Sequence, residues 1–317
     1  MTDPESAPAP ARAPTPTQGA SSESPTGAKI IDGKVVSLKI RDQLAEEIKI
    51  LKNSGVTPGL AAVLVGEDPA SNTYVRAKAK ACAAIGVYSD VIRLAADISQ
   101  VELERKVREL NIRDDIDGIL VQSPLPAGLN EFAINKLVDP AKDVDGFHPY
   151  NVGMLSIGEA TFVPCTPVGI IKLLEHYSIS TSGKEAVVVG RSNIVGKPIA
   201  ALLASKCETG NATVTICHSR TRNLSEVCRK ADILIAAIGS PGLIGRDYIK
   251  PGAVIIDVGI NRVDDPSRKS GYRLIGDVKF DEACELASYI TPVPGGVGPM
   301  TIAMLLSNTV KASRRRL

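Results

Sequence analysis

A chain of 317 residues is long enough for two domains of ordinary size. With 44% hydrophobic but only 3% aromatic residues and no Trp, the core must be built mainly from Ala, Val, Ile and Leu; this suits helices on parallel strands better than an aromatic-rich β-sandwich. A net charge of +2 supplies no global field for nucleic acid, and no apolar run is long enough to span a membrane.

Residues 1–28 are rich in Pro, Ala, Ser and Thr and nearly lack large apolar side chains, so they are read as a disordered tail. The tail has no apolar core of a secretory signal, and Asp3, Glu5 and Glu23 against a single Arg speak against a transit peptide. Residues 37–53 read as a helix, with Leu38, Leu44, Ile48 and Leu51 at apolar positions. Residues 60–65 are a strand buried on both faces, ending at Gly66. Ser71 is the expected cap of the next helix, which Gly86 ends. A strand over 87–94, a helix over 99–110 and a buried strand over 118–122 follow. This β–α–β–α–β order implies a parallel sheet with helical crossovers.

The pattern breaks over 139–164, which is loop-rich, with Gly146, Pro149, Gly153 and Gly158. Thr166 then offers an N-cap, with Pro167 at the first position of a helix. Strands at 186–189, 213–217, 232–237 and 253–258 make a second parallel α/β unit. A last helix, 301–313, follows a Gly/Pro loop, and its return onto the first domain stays open. Arg314, Arg315 and Arg316 are read as cations at its C-terminus. The expected fold is α/β with two parallel-sheet domains and a cleft between them: 29–148 as the catalytic domain and 149–317 as a Rossmann-like nucleotide-binding domain.

Tyr74 and Lys78 stand four residues apart, which on a helix puts both on one face. A partly desolvated lysine loses its charge more easily and so serves as an acid or base near neutral pH. Lys80, off that face, reads as surface. Gln122 ends a buried strand, where open α/β sheets place ligands, though a capping amide would look the same. Asp145 is either a turn carboxylate or a site residue. The six cysteines form no C-x-x-C pair, and the three histidines show no metal-ligand spacing. They read as reduced thiols of a cytosolic protein that needs no metal.

After the strand at 186–189, Gly190, Arg191, Ser192, Ile194 and Gly196 resemble a pyrophosphate-binding turn leading into a helix. The match to G-x-G-x-x-G is imperfect: Ser192 replaces the second Gly and the last Gly comes one residue late. A plain βα turn is the competing reading, and the four-strand context favours the nucleotide. The next strand ends in His218, Ser219 and Arg220, without the carboxylate that commonly grips an NAD ribose. Ser219 with Arg191, and Arg220 unless it is merely solvated, suit a 2′-phosphate, so NADP is favoured over NAD.

Six segments resemble, in order, the bifunctional methylenetetrahydrofolate dehydrogenase/methenyltetrahydrofolate cyclohydrolase family. They are Ser71-Asn72-Thr73-Tyr74-Val75 with Lys78, Gly118 to Gln122 with Pro124-Leu125-Pro126, Lys142-Asp143-Val144-Asp145-Gly146, Pro164-Cys165-Thr166-Pro167, Val188 to Ser192 with Ile194-Val195-Gly196, and Pro292 to Thr301. The resemblance covers 29–313. It implies that Lys78 is the acid–base residue of the cyclohydrolase step, assisted by Tyr74 and oriented by Gln122, with Asp145 on the pterin. It places Pro294, Gly295, Gly296 and Val297 along a folate cleft, Ile260 with the cofactor residues, and implies a homodimer through the second domain. One departure stands out: where the family usually has Leu after the strand-ending Gln, this chain has Ser123. A monofunctional NAD(P) dehydrogenase and a non-enzymatic nucleotide-binding module are the two rival readings.

Overall fold

The computed structural model describes residues 27–268 and 271–317. Most of the expected tail, 1–26, lies outside the described residues. At its inner end Ala28 is already fully buried, within an apolar cluster that includes Ala253 and Ile290.

Strand β1 (Lys29–Ile30) leads into α1 (Gly33–Asn53). This helix starts four residues before the expected position because the Asp32 carboxylate accepts from the Lys34 and Val35 amides at 2.8 and 3.2 Å, an N-cap that offsets the poor propensity of Gly33. Then come β2 (Gly59–Val65), α2 (Pro69–Ile85), β3 (Tyr88–Leu94), α3 (Gln100–Asn111) and β4 (Gly118–Val121). Asp68, not Ser71, caps α2. Its Oδ2 accepts from the Ser71 amide at 2.7 Å, and Pro69 occupies the first turn, where its missing N–H costs nothing. Gly86 ends α2 in the left-handed region, as expected. The three strands form a parallel sheet in the order β3-β2-β4. Two short helices, α4 (Glu131–Leu137) and α5 (Pro149–Ser156), were not expected; seven or eight residues are too few for a periodic signal.

The second unit runs α6 (Cys165–His176), β5 (Glu185–Val189), α7 (Gly196–Ala204), β6 (Thr213–Cys217), α8 (Leu224–Cys228), β7 (Ile233–Ala236) and β8 (Val254–Asp257). It closes with the antiparallel pair β9 (Asn261–Asp264) and β10 (Tyr272–Ile275), then α9 (Phe280–Cys284), β11 (Tyr289–Ile290) and α10 (Val297–Ser313). Thr166 lies inside α6 rather than capping it, and its hydroxyl pairs with that of Thr301 at 2.8 Å. The large sheet is parallel throughout, ordered β1-β11-β8-β7-β5-β6. Residues 29–30, which the sequence pattern assigned to the first domain, form its edge strand. The chain goes out from β5 to β6 and returns to β7 on the other side, so the ends of β5 and β7 make a switch point.

Period-two burial explains how the units join. In β5, Ala186 and Val188 face one apolar cluster while Val187 and Val189 face another. In β2, Leu60, Ala62 and Leu64 face that same first cluster, and Ala61, Val63 and Val65 face a third. The first cluster is therefore shared by both sheets, and it also holds Ile48 of α1, Leu173 of α6 and Met304 of α10. Helix α10 is the common wall. Its end is tied to the small sheet: Arg316 Nη2 donates to Asp117 Oδ2 at 2.7 Å, and the Gly59 amide donates to the same oxygen at 2.8 Å. Asp117 is buried. Arg316→Ala removes the charged partner of that carboxylate and is expected to cost roughly 1–3 kcal/mol; an unchanged urea midpoint would refute the clasp.

Candidate active site

The α2 helix points Lys78 at the carboxyl end of β4. Lys78 Nζ donates to Gln122 Oε1 at 3.0 Å. An ammonium has only donors, so the amide must present its oxygen, and its Nε2 then needs an acceptor. The Ser123 carbonyl supplies it at 2.7 Å. Tyr74, one turn earlier on α2, is 44% exposed and so open to a ligand.

Asp145 joins this group from the loop between α4 and α5. Its enclosed carboxyl is pushed up to about 6 by burial and by neighbouring Asp143, and is held back from rising further by the Lys78 charge. Asp143 itself serves the backbone, accepting from the Phe147 and His148 amides and from Asn151 Nδ2 at 3.1, 2.8 and 2.8 Å. This staple turns the chain at Gly146 and sets the direction of Asp145. Two neighbours are not among the expected site residues, although Cys165 lies in one of the family-like segments. The Cys165 thiol lies 3.9 Å from Asp145 Oδ1, its pKa raised well above the usual thiol value by burial and by that carboxylate. Asn308 of α10 donates to the Val144 and Val163 carbonyls at 2.8 and 3.2 Å, pinning the backbone on either side of the site. Lys78, Gln122 and Asp145 thus converge, whereas Lys80 is exposed on the outer face of α2.

At the switch point, Gly190 ends β5 with φ +134°, where a side chain would strike the Ala237 carbonyl beyond β7. A Cβ on Gly196 would strike the Gly190 carbonyl. Both glycines let backbones touch, which brings the helix start close to the strand end. The Ser192 hydroxyl accepts from the Val195 and Gly196 amides at 3.1 and 3.2 Å, so it braces the turn in place of a second glycine. Arg191 and Ile194 are exposed on this turn. Past β6, His218 is spent on its own turn: its Nδ1 accepts from the Arg220 amide at 3.1 Å and its amide donates to Thr221 at 2.9 Å. That turn leaves Ser219 and Arg220 exposed. The cradle, with arginines and no carboxylate at these ends, fits a phosphorylated dinucleotide.

The 292–301 segment packs against the start of α1. Gly295 takes φ +115°, and a Cβ on Gly33 at the start of α1 would strike the Gly296 carbonyl, so loop and helix touch through backbone. Pro294 follows a cis peptide bond and Val297 is the buried first residue of α10. Ile260 is 43% exposed, and its Cδ1 lies 3.5 Å from the Cβ position of Gly298. Ile260 therefore sits beside the 292–301 segment.

A lysine–amide–carboxylate group beside the small sheet and a Rossmann-type switch point in the large one define a nucleotide-dependent enzyme with an acid–base centre, and no cluster of metal-ligating side chains occurs among the described residues. Residues 31–145 match the tetrahydrofolate dehydrogenase/cyclohydrolase catalytic domain, and 164–317 match the NAD(P)-binding domain of the same family. The chain is 57% identical to the bifunctional protein FolD of Prosthecochloris aestuarii over 289 residues, 90% of this chain and 98% of that one. The FolD methylenetetrahydrofolate dehydrogenase/cyclohydrolase structure from Campylobacter jejuni superposes with a TM-score of 0.86 at 49% identity, covering 91% and 99% of the two chains. The Trypanosoma brucei FolD, solved with NADP cofactor and inhibitor, also gives 0.86, at 43% identity and 91% and 98% coverage. The chain belongs to the tetrahydrofolate dehydrogenase/cyclohydrolase family and is a bifunctional enzyme of folate one-carbon chemistry.

Proposed function

We propose that this enzyme oxidises 5,10-methylene-tetrahydrofolate with NADP⁺ and hydrolyses the methenyl product to 10-formyl-tetrahydrofolate in one cleft. The observation that carries the reading is the Lys78–Gln122 hydrogen bond at the end of β4, with Asp145 beside it. When bound, NADP⁺ takes the hydride. The chain's part in that step is alignment: the turn at Gly190, Arg191, Ser192, Ile194 and Gly196, the residues Ser219 and Arg220 on the turn closed by His218, and Ile260 hold one reactant, while the loop at Pro294, Gly295, Gly296 and Val297 holds the other. Asp145 and Tyr74 fix the pterin and its neighbouring ring. In the second step water adds to the methenyl carbon. Lys78 takes and returns the proton as the C–N bond opens, with Gln122 keeping its amine in place.

In the division of labour we assign, 29–148 carries the folate chemistry and 149–317 binds NADP, preceded by a tail at 1–28. A homodimer through the second domain and a cytoplasmic location complete the proposal. No disulfide joins cysteines among the described residues, which suits a reducing compartment, and no helix among them is long and apolar enough to cross a membrane.

The test is an absorbance assay with methylene-tetrahydrofolate, comparing NADP⁺ with NAD⁺ and following the reduced cofactor and the methenyl species separately. Reduced cofactor with fast decay of methenyl establishes both steps; persistent methenyl leaves a dehydrogenase alone. Arg191→Ala is expected to raise the KM for NADP⁺ roughly 10- to 100-fold, the worth of a hydrogen bond to a charged group, with little change for NAD⁺. Equal losses with both cofactors would remove Arg191 from 2′-phosphate recognition.

A further inference from the structure

Ser123, the departure from the family pattern, is tied into the site by hydrogen bonds. Its Oγ donates to Glu131 Oε1 at 2.8 Å. Its carbonyl is the acceptor that holds Gln122 Nε2, at 2.7 Å, and Gln122 Oε1 in turn accepts from Lys78 Nζ at 3.0 Å. Glu131, Ser123, Gln122 and Lys78 therefore form one continuous run of three hydrogen bonds ending on the acid–base amine.

The backbone at the far end of that run is anchored. Glu131 is the first residue of α4, where the helix dipole favours a carboxylate. Asn130 caps that helix by accepting from the Ala133 amide at 3.0 Å, and its own amide donates to Gln100 of α3 at 2.9 Å. Ile134, one turn on, is fully buried in the apolar cluster beneath β4. The near end is loose by comparison. Gln122 closes the sheet with a single bond from its amide to the Val63 carbonyl at 2.9 Å, after which the chain leaves β4. Among the described residues the Ser123 peptide has no strand partner to set its direction. If it rotates, Gln122 Nε2 loses its acceptor and the amide is free to turn its oxygen away from Lys78. A leucine here can hold the loop only by apolar packing; a hydroxyl holds it by a directed bond to a fixed carboxylate.

We propose that Ser123 and Glu131 are positioning residues of the hydrolytic step: Glu131 anchors Ser123, the Ser123 carbonyl orients the Gln122 amide, and the amide sets the Lys78 amine. This rests on the assignment of Lys78 as the proton carrier. Neither residue touches the reacting atoms in this scheme.

The experiment measures hydride transfer and methenyl hydrolysis on the same preparation of the full-length protein for Ser123→Ala, Glu131→Ala, Glu131→Gln, the double alanine variant and Lys78→Ala. Misplacement of a catalytic group is expected to lower the ratio of hydrolysis to hydride transfer about tenfold in each single alanine variant. The double variant should be no worse than either single one, because both break the same chain. Glu131→Gln keeps a carbonyl acceptor and should recover most of the ratio. An unchanged ratio in the alanine variants overturns the inference, as does a parallel fall of both activities with the melting temperature, which would mark a purely structural bond. The variants Glu131→Ala and Glu131→Gln lie at a helix start and keep the test open if Ser123→Ala folds poorly. If Lys78→Ala leaves hydrolysis intact, it is the lysine assignment that fails, and the two failures are read separately.

Discussion

Lys78→Ala is expected to lower methenyl hydrolysis by roughly 10²–10⁴-fold, the usual worth of a positioned acid–base group, while hydride transfer falls far less. The asymmetry follows from the chemistry. Hydride transfer moves no proton through the amine and asks the protein mainly for alignment, whereas opening the ring requires a proton to leave water and reach nitrogen. The methenyl species should accumulate in the variant, and a direct absorbance trace would show it. Lys78→Arg sharpens the test. It keeps the charge and a donor for Gln122 Oε1, but a guanidinium does not release its proton, so it should fail at hydrolysis almost as badly. Hydrolysis within a factor of about two of the parent in either variant would refute general acid–base work by this lysine. The loss should not be confused with unfolding. Lys78 donates one hydrogen bond in a part-buried setting, and its removal leaves a single amide oxygen unpaired, a cost of about 1–3 kcal/mol at most.

The site was legible in the sequence where its parts are local, and hidden where they are not. Tyr74 and Lys78 could be placed on one helix face because four residues make about one turn. Gly190 and Gly196 could be placed because a strand and a helix bracket them. Asn308 and Cys165 are 143 residues apart, with only a 3.8 Å contact between them, and nothing in either neighbourhood announces the other. The same holds for the Thr166–Thr301 pair, whose interaction removed Thr166 from its expected capping role. Local rules also failed where two residues competed for the same role. Asp68 took the cap expected of Ser71 because a carboxylate just ahead of Pro69 satisfies the first turn better. Strand β1 joined the far sheet because two residues have too little apolar pattern to state a preference, while Ala28 and Ile31 beside them have buried places to fill. Gln122 and Asp145 were visible as candidates, and only the fold set them around Lys78.

Gly196→Ala is expected to do the reverse of Lys78→Ala: hydride transfer should fall by about 10²-fold or more, the scale of an ångström-sized misplacement, while hydrolysis of supplied methenyl-tetrahydrofolate survives. Gly196 begins α7 in ordinary helical backbone, so the substitution carries no penalty of handedness. The obstacle is steric. The new methyl meets the Gly190 carbonyl and lies 2.9 Å from the Arg191 Cα, and backbone atoms cannot swing aside as the end of a lysine can. Either the helix start withdraws or the β5 turn opens, and both move the Ser192 hydroxyl off the Val195 and Gly196 amides that it braces. The cradle would then no longer match a pyrophosphate. The hydrolytic group lies elsewhere, on α2, just after β4 and in the loop between α4 and α5, and among the described residues it shares no hydrogen bond with this turn. Overpacking of this kind costs typically about 1–3 kcal/mol, so the variant should fold with a lowered melting temperature and lose the further rise that NADP⁺ gives the parent. The two variants can be set against each other in one tube. Lys78→Ala makes methenyl-tetrahydrofolate and cannot consume it; Gly196→Ala consumes it and cannot make it. Mixed, they should restore conversion to 10-formyl-tetrahydrofolate at a rate that rises with the concentration of the second protein. A mixture that stays as inactive as its parts would mean that the two steps cannot be separated, and that the turn at Gly196 serves hydrolysis as well as hydride transfer.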